Sequence, residues 1–195
     1  MKSAVKDLGR RALAPVARGL ARLHVSPNHI TLAGLVAMAG SGALLGLGSF
    51  RGAGLALLVG GVCDMLDGAV ARDSGVSSRF GAFFDSTSDR LAEMFFFAGL
   101  LVHYTRVDPS VLYALLTFFA AGGSFMVSYT RARAEGLGVD CQVGVMERPE
   151  RMVLLLLACF VGGIGMKAVL WVLTPLVFHT SLQRILHVQE RTRTL

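Results

Sequence analysis

Apolar residues in this chain fall into long blocks divided by short polar punctuation, the pattern of helices that are hydrophobic most of the way round. The first block runs from about Asn28 to Gly48 and the second from about Ala53 to Ala71. The third covers Phe80 to Tyr104, and the fourth Ser110 to near Arg133. At 1.5 Å per residue, roughly 20 residues cross a hydrocarbon core, so each block is long enough to span a bilayer. The stretch from Met152 to Phe178 must hold either one long helix or a hairpin. Gly162, Gly163, Gly165 and Lys167 suggest a turn, dividing it into a fifth span of about Pro149 to Gly165 and a sixth of about Lys167 to His187.

Ahead of these blocks the pattern changes. Val5, Leu8, Ala12, Leu13, Val16, Leu20 and Leu23 recur every three or four residues, with Lys2, Lys6, Arg10, Arg11, Arg18 and Arg22 largely between them. That spacing predicts an amphipathic helix with a cationic face, suited to an anionic membrane surface, with Pro15 expected to kink or divide it. The arginines interrupt every stretch that would serve as the apolar core of a signal peptide, so no cleavage is expected. The predicted fold class is therefore an all-α integral membrane protein of six transmembrane helices preceded by an interfacial helix. Residues 1–25 form the juxtamembrane helix, 26–191 the membrane domain and 192–195 a tail.

Composition agrees with this layout: 53% of the residues are hydrophobic, 16% are charged, and mean hydropathy is +0.59. The net charge of +6 invites a nucleic-acid reading, but no reader motif accompanies it. Fifteen of the nineteen Lys and Arg residues fall in the N-terminal segment, the 72–79 loop, the 131–151 region and the tail. The positive-inside rule then places both termini on the cytoplasmic side of the cell membrane. Cys63, Cys141 and Cys159 are odd in number and never form a C-x-x-C pair, so neither a disulfide framework nor a zinc site is indicated.

Against this apolar background, four acids stand out. Asp64 and Asp67 are three apart at the end of the second span, and Asp85 and Asp89 four apart at the start of the third, so each pair shares a helix face at one membrane boundary. Carboxylates in a membrane helix cost roughly 2.5 to 3.5 kcal/mol each and call for a compensating cation. Four hard oxygen donors suit Mg2+, Mn2+ or Ca2+, and Mg2+ in particular is commonly shared between carboxylates and substrate phosphates. Gly68 leaves room for a phosphate, and Arg72 lies one turn further on, so the stretch reads as a diphosphate cradle. The competing reading, intramembrane salt bridges to Arg72, Arg79 or Arg90, leaves unexplained why four acids share one level.

The spacing D-x2-D-G-x2-A-R-x8-G-x3-D-x3-D, carried by Asp64, Asp67, Gly68, Ala71, Arg72, Gly81, Asp85 and Asp89, closely resembles the signature of the CDP-alcohol phosphotransferases. Ser26 to Thr31, Ser128 to Glu135, Glu147 to Arg151 and Gln183-Arg184 are similar to segments of bacterial phosphatidylinositol phosphate synthases. This resemblance implies a homodimeric enzyme that moves a phosphatidyl group from CDP-diacylglycerol to inositol 1-phosphate, with two Mg2+ (or Mn2+) ions per site. It implies Asp64, Asp67, Asp85 and Asp89 as metal ligands, with Asp89 also the general base. Asn28, His29, Ile30, Thr31, Gly68, Arg72 and Ser78 are the implied donor contacts, and Arg131, Arg151 and Arg184 the implied contacts to the acceptor phosphate. Glycerol 3-phosphate is the alternative acceptor. A prenyltransferase or an ion-coupled transporter would also place acids in membrane helices, but neither accounts for Gly68, Arg72 and Gly81.

Overall fold

The computed structural model describes residues 13–73, 75 and 78–193, and among these it is wholly helical, without strands. Helix α1 occupies residues 13–22. It is followed by α2 (Pro27–Gly46), α3 (Phe50–Asp73) and α4 (Arg79–Val102), which continues into a π-helical turn at His103–Val107. The remaining helices are α5 (Val111–Glu135), α6 (Arg148–Val161) and α7 (Gly163–Thr192). Four of them, α2, α3, α5 and α7, are long and apolar enough to cross a membrane. The chain is a membrane protein built as an antiparallel bundle, and its large exposed hydrophobics, such as Val36, Phe118, Ile164 and Trp171, belong against lipid.

Of the anticipated N-terminal helix, residues 13–25 lie within the described residues, and 13–22 are helical and run through Pro15 without a break. Ala17 is fully buried, and Leu13, Leu20 and Ala21 pack with it on Ile30, Leu66 and Val70, while Arg18 and Arg22 face outward. Pro27 opens α2, where its missing N–H falls among groups no helix satisfies, with Ser26 extended before it. Ser78 accepts a hydrogen bond from the Gly81 amide at 2.9 Å and caps α4.

Inside the bundle α2 is the central post, packed on α3 and α4. Its crossing with α4 is a backbone contact: a β-carbon on Gly99 would run into the Gly42 backbone, and one on Gly42 into the carbonyl of Phe95. Ser41 donates to the Ala53 carbonyl at 2.8 Å and ties α2 to α3. The division of the last apolar stretch differs from the expected one. The break falls at Gly162, three residues before the predicted end of the fifth span, and α7 runs to Thr192. Gly162 sits at φ 94°, ψ −160°, a conformation essentially closed to other residues, so α6 stops there and α7 begins one residue later. At this same end of the bundle Lys167 pairs with Asp108 at 2.7 Å and lies 5.0 Å from the Tyr113 ring centroid. The hydrogen bond from Lys167 holds the Asp108 carboxyl below its ordinary range.

Candidate active site

At the other end of the bundle, the last third of α3 and the first turns of α4 bring three of the four acids together. One carboxylate oxygen each from Asp64, Asp85 and Asp89 lies within 4.8 Å of the other two, a spacing that a single divalent ion can bridge. Asp67 stands beside this set and is only 5% exposed. Its Oδ2 accepts a hydrogen bond from Thr31 Oγ1 of α2 at 2.6 Å. Thr31, anticipated as a donor contact, is thus the group that holds Asp67. Asp85 Oδ1 is buried with no hydrogen-bond partner, an uncompensated acceptor whose need a metal ion would meet.

Arg148, the first residue of α6, supplies the cation within the cluster. Its Nη1 lies 3.1 Å from Asp64 Oδ1 and its Nη2 2.8 Å from Asp89 Oδ1. Arg90, the nearer in sequence, is 4.0 Å from Asp89 and donates instead to the Ser86 carbonyl. One turn deeper, Arg151 of α6 forms a bidentate pair with Glu93 of α4, with Nε 2.6 Å from Oε1 and Nη2 2.8 Å from Oε2. These two Arg–carboxylate rungs, Arg148–Asp89 and Arg151–Glu93, bind α6 to α4. Neither Arg148 nor Glu93 was singled out from the sequence. The signal available was a fifth acid, four residues after Asp89 on the same face of α4, answered by arginines three apart in Glu147–Arg151.

The acids form the head of a cavity of about 480 Å3. Thr31, Asp64, Asp67, Gly68, Arg72, Asp85, Ser88, Asp89 and Arg148 line the polar end. From there an apolar arm extends between α2, α3 and α6, walled by Leu35, Met38, Leu57, Leu58, Met65, Met152, Val153 and Leu156. Such a chamber suits a molecule with an anionic head and hydrocarbon tails.

The remaining anticipated donor contacts divide. Gly68 and Arg72 line the cavity, and a β-carbon on Gly68 would sit 3.4 Å from Arg72 Nη1. Asn28 and Ser78 gather beside Gly81, whose β-carbon would lie 3.7 Å from Asn28 Oδ1 and 3.1 Å from Ser78 Oγ. His29 is exposed, and Ile30 is buried in the apolar contact with α1 and α3.

The three anticipated acceptor arginines sit beyond the cavity wall, around the loop that joins α5 to α6. Arg184 of α7 is 2% exposed, donating from Nε to the Val143 carbonyl at 2.8 Å and from Nη1 to the Val127 carbonyl. Arg151, fully buried, also donates to the Met146 carbonyl at 3.1 Å. Arg131 is more open and pairs with Glu135 at 2.8 Å. The charges of Arg131 and Arg151 both fall within range of the Arg184 guanidinium.

Comparison with known proteins draws these features together. The CDP-alcohol phosphatidyltransferase family profile matches residues 24–183, a range that contains the whole acid cluster together with Arg131 and Arg151 and ends one residue before Arg184. The chain belongs to that family. As a CDP-alcohol phosphatidyltransferase it is an enzyme. It is 37% identical over 190 residues to the archaetidylinositol phosphate synthase of Methanothermobacter thermautotrophicus, covering 94% of this chain and 92% of that one. Its fold superposes with a TM-score of 0.85 on the phosphatidylinositol phosphate synthase of Mycobacterium tuberculosis with CDP-DAG bound. That match has 31% identity and covers 91% of this chain and 94% of the other. A second structure of that enzyme, in complex with manganese and citrate, matches with a TM-score of 0.84 and 31% identity over 90% of this chain and 88% of that one. The Asp cluster here and the manganese there both point to the use of a divalent metal.

Proposed function

We propose that this enzyme transfers the phosphatidyl group of CDP-diacylglycerol to a hydroxyl of D-myo-inositol 1-phosphate, giving phosphatidylinositol phosphate and CMP. The observation that carries the reading is the shape of the cavity: four acids at its head, an apolar arm at its side, and room for a diphosphate at Gly68 and Arg72. A nucleotide-activated lipid has its charge and its tails in that relation. The two relatives differ in the lipid part of their names and share inositol phosphate, which supports the acceptor.

The chain's own groups then divide the work. Asp64, Asp85 and Asp89 would hold one divalent ion and Asp67 would help hold a second, Mg2+ or Mn2+. Bound there, such ions neutralise diphosphate oxygens and stabilise the departing CMP. Asp89 accepts the proton of the acceptor hydroxyl as its oxygen bonds to the lipid-side phosphorus and the bond to CMP breaks. Arg131, Arg151 and Arg184 hold the acceptor phosphate; their gathering around one loop and the spare guanidinium donors support this role. Asn28, His29, Ile30, Thr31 and Ser78 bound the nucleotide end, His29 and Ile30 through the backbone. The whole is a homodimer of six-span subunits, with the interfacial helix and both termini on the cytoplasmic side of the membrane.

The test is a CMP-release assay on purified protein with CDP-diacylglycerol, Mg2+ and one acceptor at a time. Release with inositol 1-phosphate well above that with free inositol or glycerol 3-phosphate is expected. Equal rates with free inositol would sink the acceptor assignment, and no release with any acceptor would sink the reaction.

A further inference from the structure

Arg148 lies where a metal ion must go. Its two terminal nitrogens rest on Asp64 Oδ1 at 3.1 Å and on Asp89 Oδ1 at 2.8 Å, two of the three carboxylates whose oxygens converge within 4.8 Å. A divalent ion takes carboxylate oxygens at about 2.0 to 2.6 Å. A guanidinium on the same oxygens would then stand only a few ångströms from two further positive charges, with little water between them to screen the repulsion. Arginine keeps its proton under all ordinary conditions, so it relieves that repulsion only by moving.

Its position permits the move. Arg148 is the first residue of α6, next to the irregular loop that precedes the helix, and about a quarter of its side chain is exposed. It lines the same cavity as Gly68 and Arg72. Its Nε is buried without a partner, so the present pose leaves one donor unused.

We propose that Arg148 is a resident counterion that occupies the metal site until the donor arrives. A divalent ion then displaces it from Asp64 and Asp89, and it turns to the donor's diphosphate, where a guanidinium finds paired oxygens. Metal and donor therefore load together: the ion alone must expel a cation that has nowhere as good to go, whereas the diphosphate supplies that destination. This assignment rests on the reading of the acids as a metal and diphosphate site.

The experiment is a Mn2+ titration of the purified full-length protein in detergent, followed by electron paramagnetic resonance, with and without CDP-diacylglycerol. The wild type is compared with Arg148→Gln and Arg148→Lys. Without donor, Arg148→Gln binds Mn2+ about tenfold more tightly than the wild type, inside the usual range for coupling between ligands of one protein. CDP-diacylglycerol tightens Mn2+ binding by the wild type and does so much less for Arg148→Gln. Arg148→Lys, which keeps the charge but cannot bridge both carboxylates bidentately, falls between, and it decides the matter if the Gln variant does not fold. A merely structural role predicts loss of metal affinity, so Mn2+ binding by the variants that is unchanged or weaker overturns the proposal. Should the wild type release no CMP with any acceptor, the reaction reading fails, while the Mn2+ comparison still decides the role of Arg148.

Discussion

Asp89 meets three neighbours at once: Asp64 and Asp85 beside it, and Arg148 at 2.8 Å. Replacing it by Asn keeps the volume and removes the proton acceptor, so CMP release by Asp89→Asn should fall by at least about a hundredfold, the lower end of what a positioned base contributes. Glu93 makes a different prediction. It pairs with Arg151, which is fully buried, and deleting one member of such a pair costs roughly 3 to 5 kcal/mol because the other charge stays behind unpaired. Glu93→Ala should therefore lower the melting temperature in detergent more than Asp89→Asn does. An equal or smaller loss would show that Arg151 finds another partner. The acid quartet was legible because helix periodicity alone decides which face Asp64, Asp67, Asp85 and Asp89 share. Arg148 and Glu93 were not, because the pairing of Arg148 with Asp64 and Asp89, and of Glu93 with Arg151, depends on α6 coming alongside α3 and α4, which no local spacing encodes. Thr31 was legible near the site from the Ser26–Thr31 segment, but its bond to Asp67 was not, because that follows from the α2–α3 packing.

Among the elements, α2 and α4 meet backbone to backbone at Gly42 and Gly99. Membrane helices gain most from contacts that small residues allow, because lipid is as apolar as any side chain they bury. A methyl at Gly99 meets backbone, which cannot turn aside as a side chain can, so the helices must separate. Gly99→Ala should destabilise the folded protein by about 1 to 3 kcal/mol, as overpacking generally does, visible as a lowered melting temperature. Because α4 carries Asp85 and Asp89, the same change should weaken Mn2+ binding though it lies several turns away. Four of the six expected blocks became helices within a few residues of their predicted ends, since Ser-Pro-Asn, Ser-Ser and Asp-Pro-Ser are strong local stops. The α6–α7 boundary was harder, because Gly162, Gly163 and Gly165 are equivalent in sequence and only the backbone conformation separates them. With 14 residues, about 21 Å long, α6 is also the shortest of the bundle helices.

For the molecule as a whole, the arginines concentrate at the acid end, and Arg51, Arg106 and Lys167 mark the other. If that asymmetry sets the orientation, a cysteine introduced at Arg106, which is exposed, should react with an impermeant maleimide added to intact cells. A cysteine at Arg191 should react only after the cells are opened. Both variants are made with Cys63, Cys141 and Cys159 replaced, and the reverse pattern of labelling would invert the topology. The walls of the cavity's arm carry a further consequence. Leu58, Met65 and Val153 line the arm and are all exposed, so the arm opens at the apolar surface of α3 and α6. If that opening faces the bilayer, the lipid substrate slides in sideways within its own leaflet and never has to leave it for water. What the enzyme senses is crowding in two dimensions: diluting the donor with inert lipid should slow turnover even when the amount of donor per volume of solution is held constant.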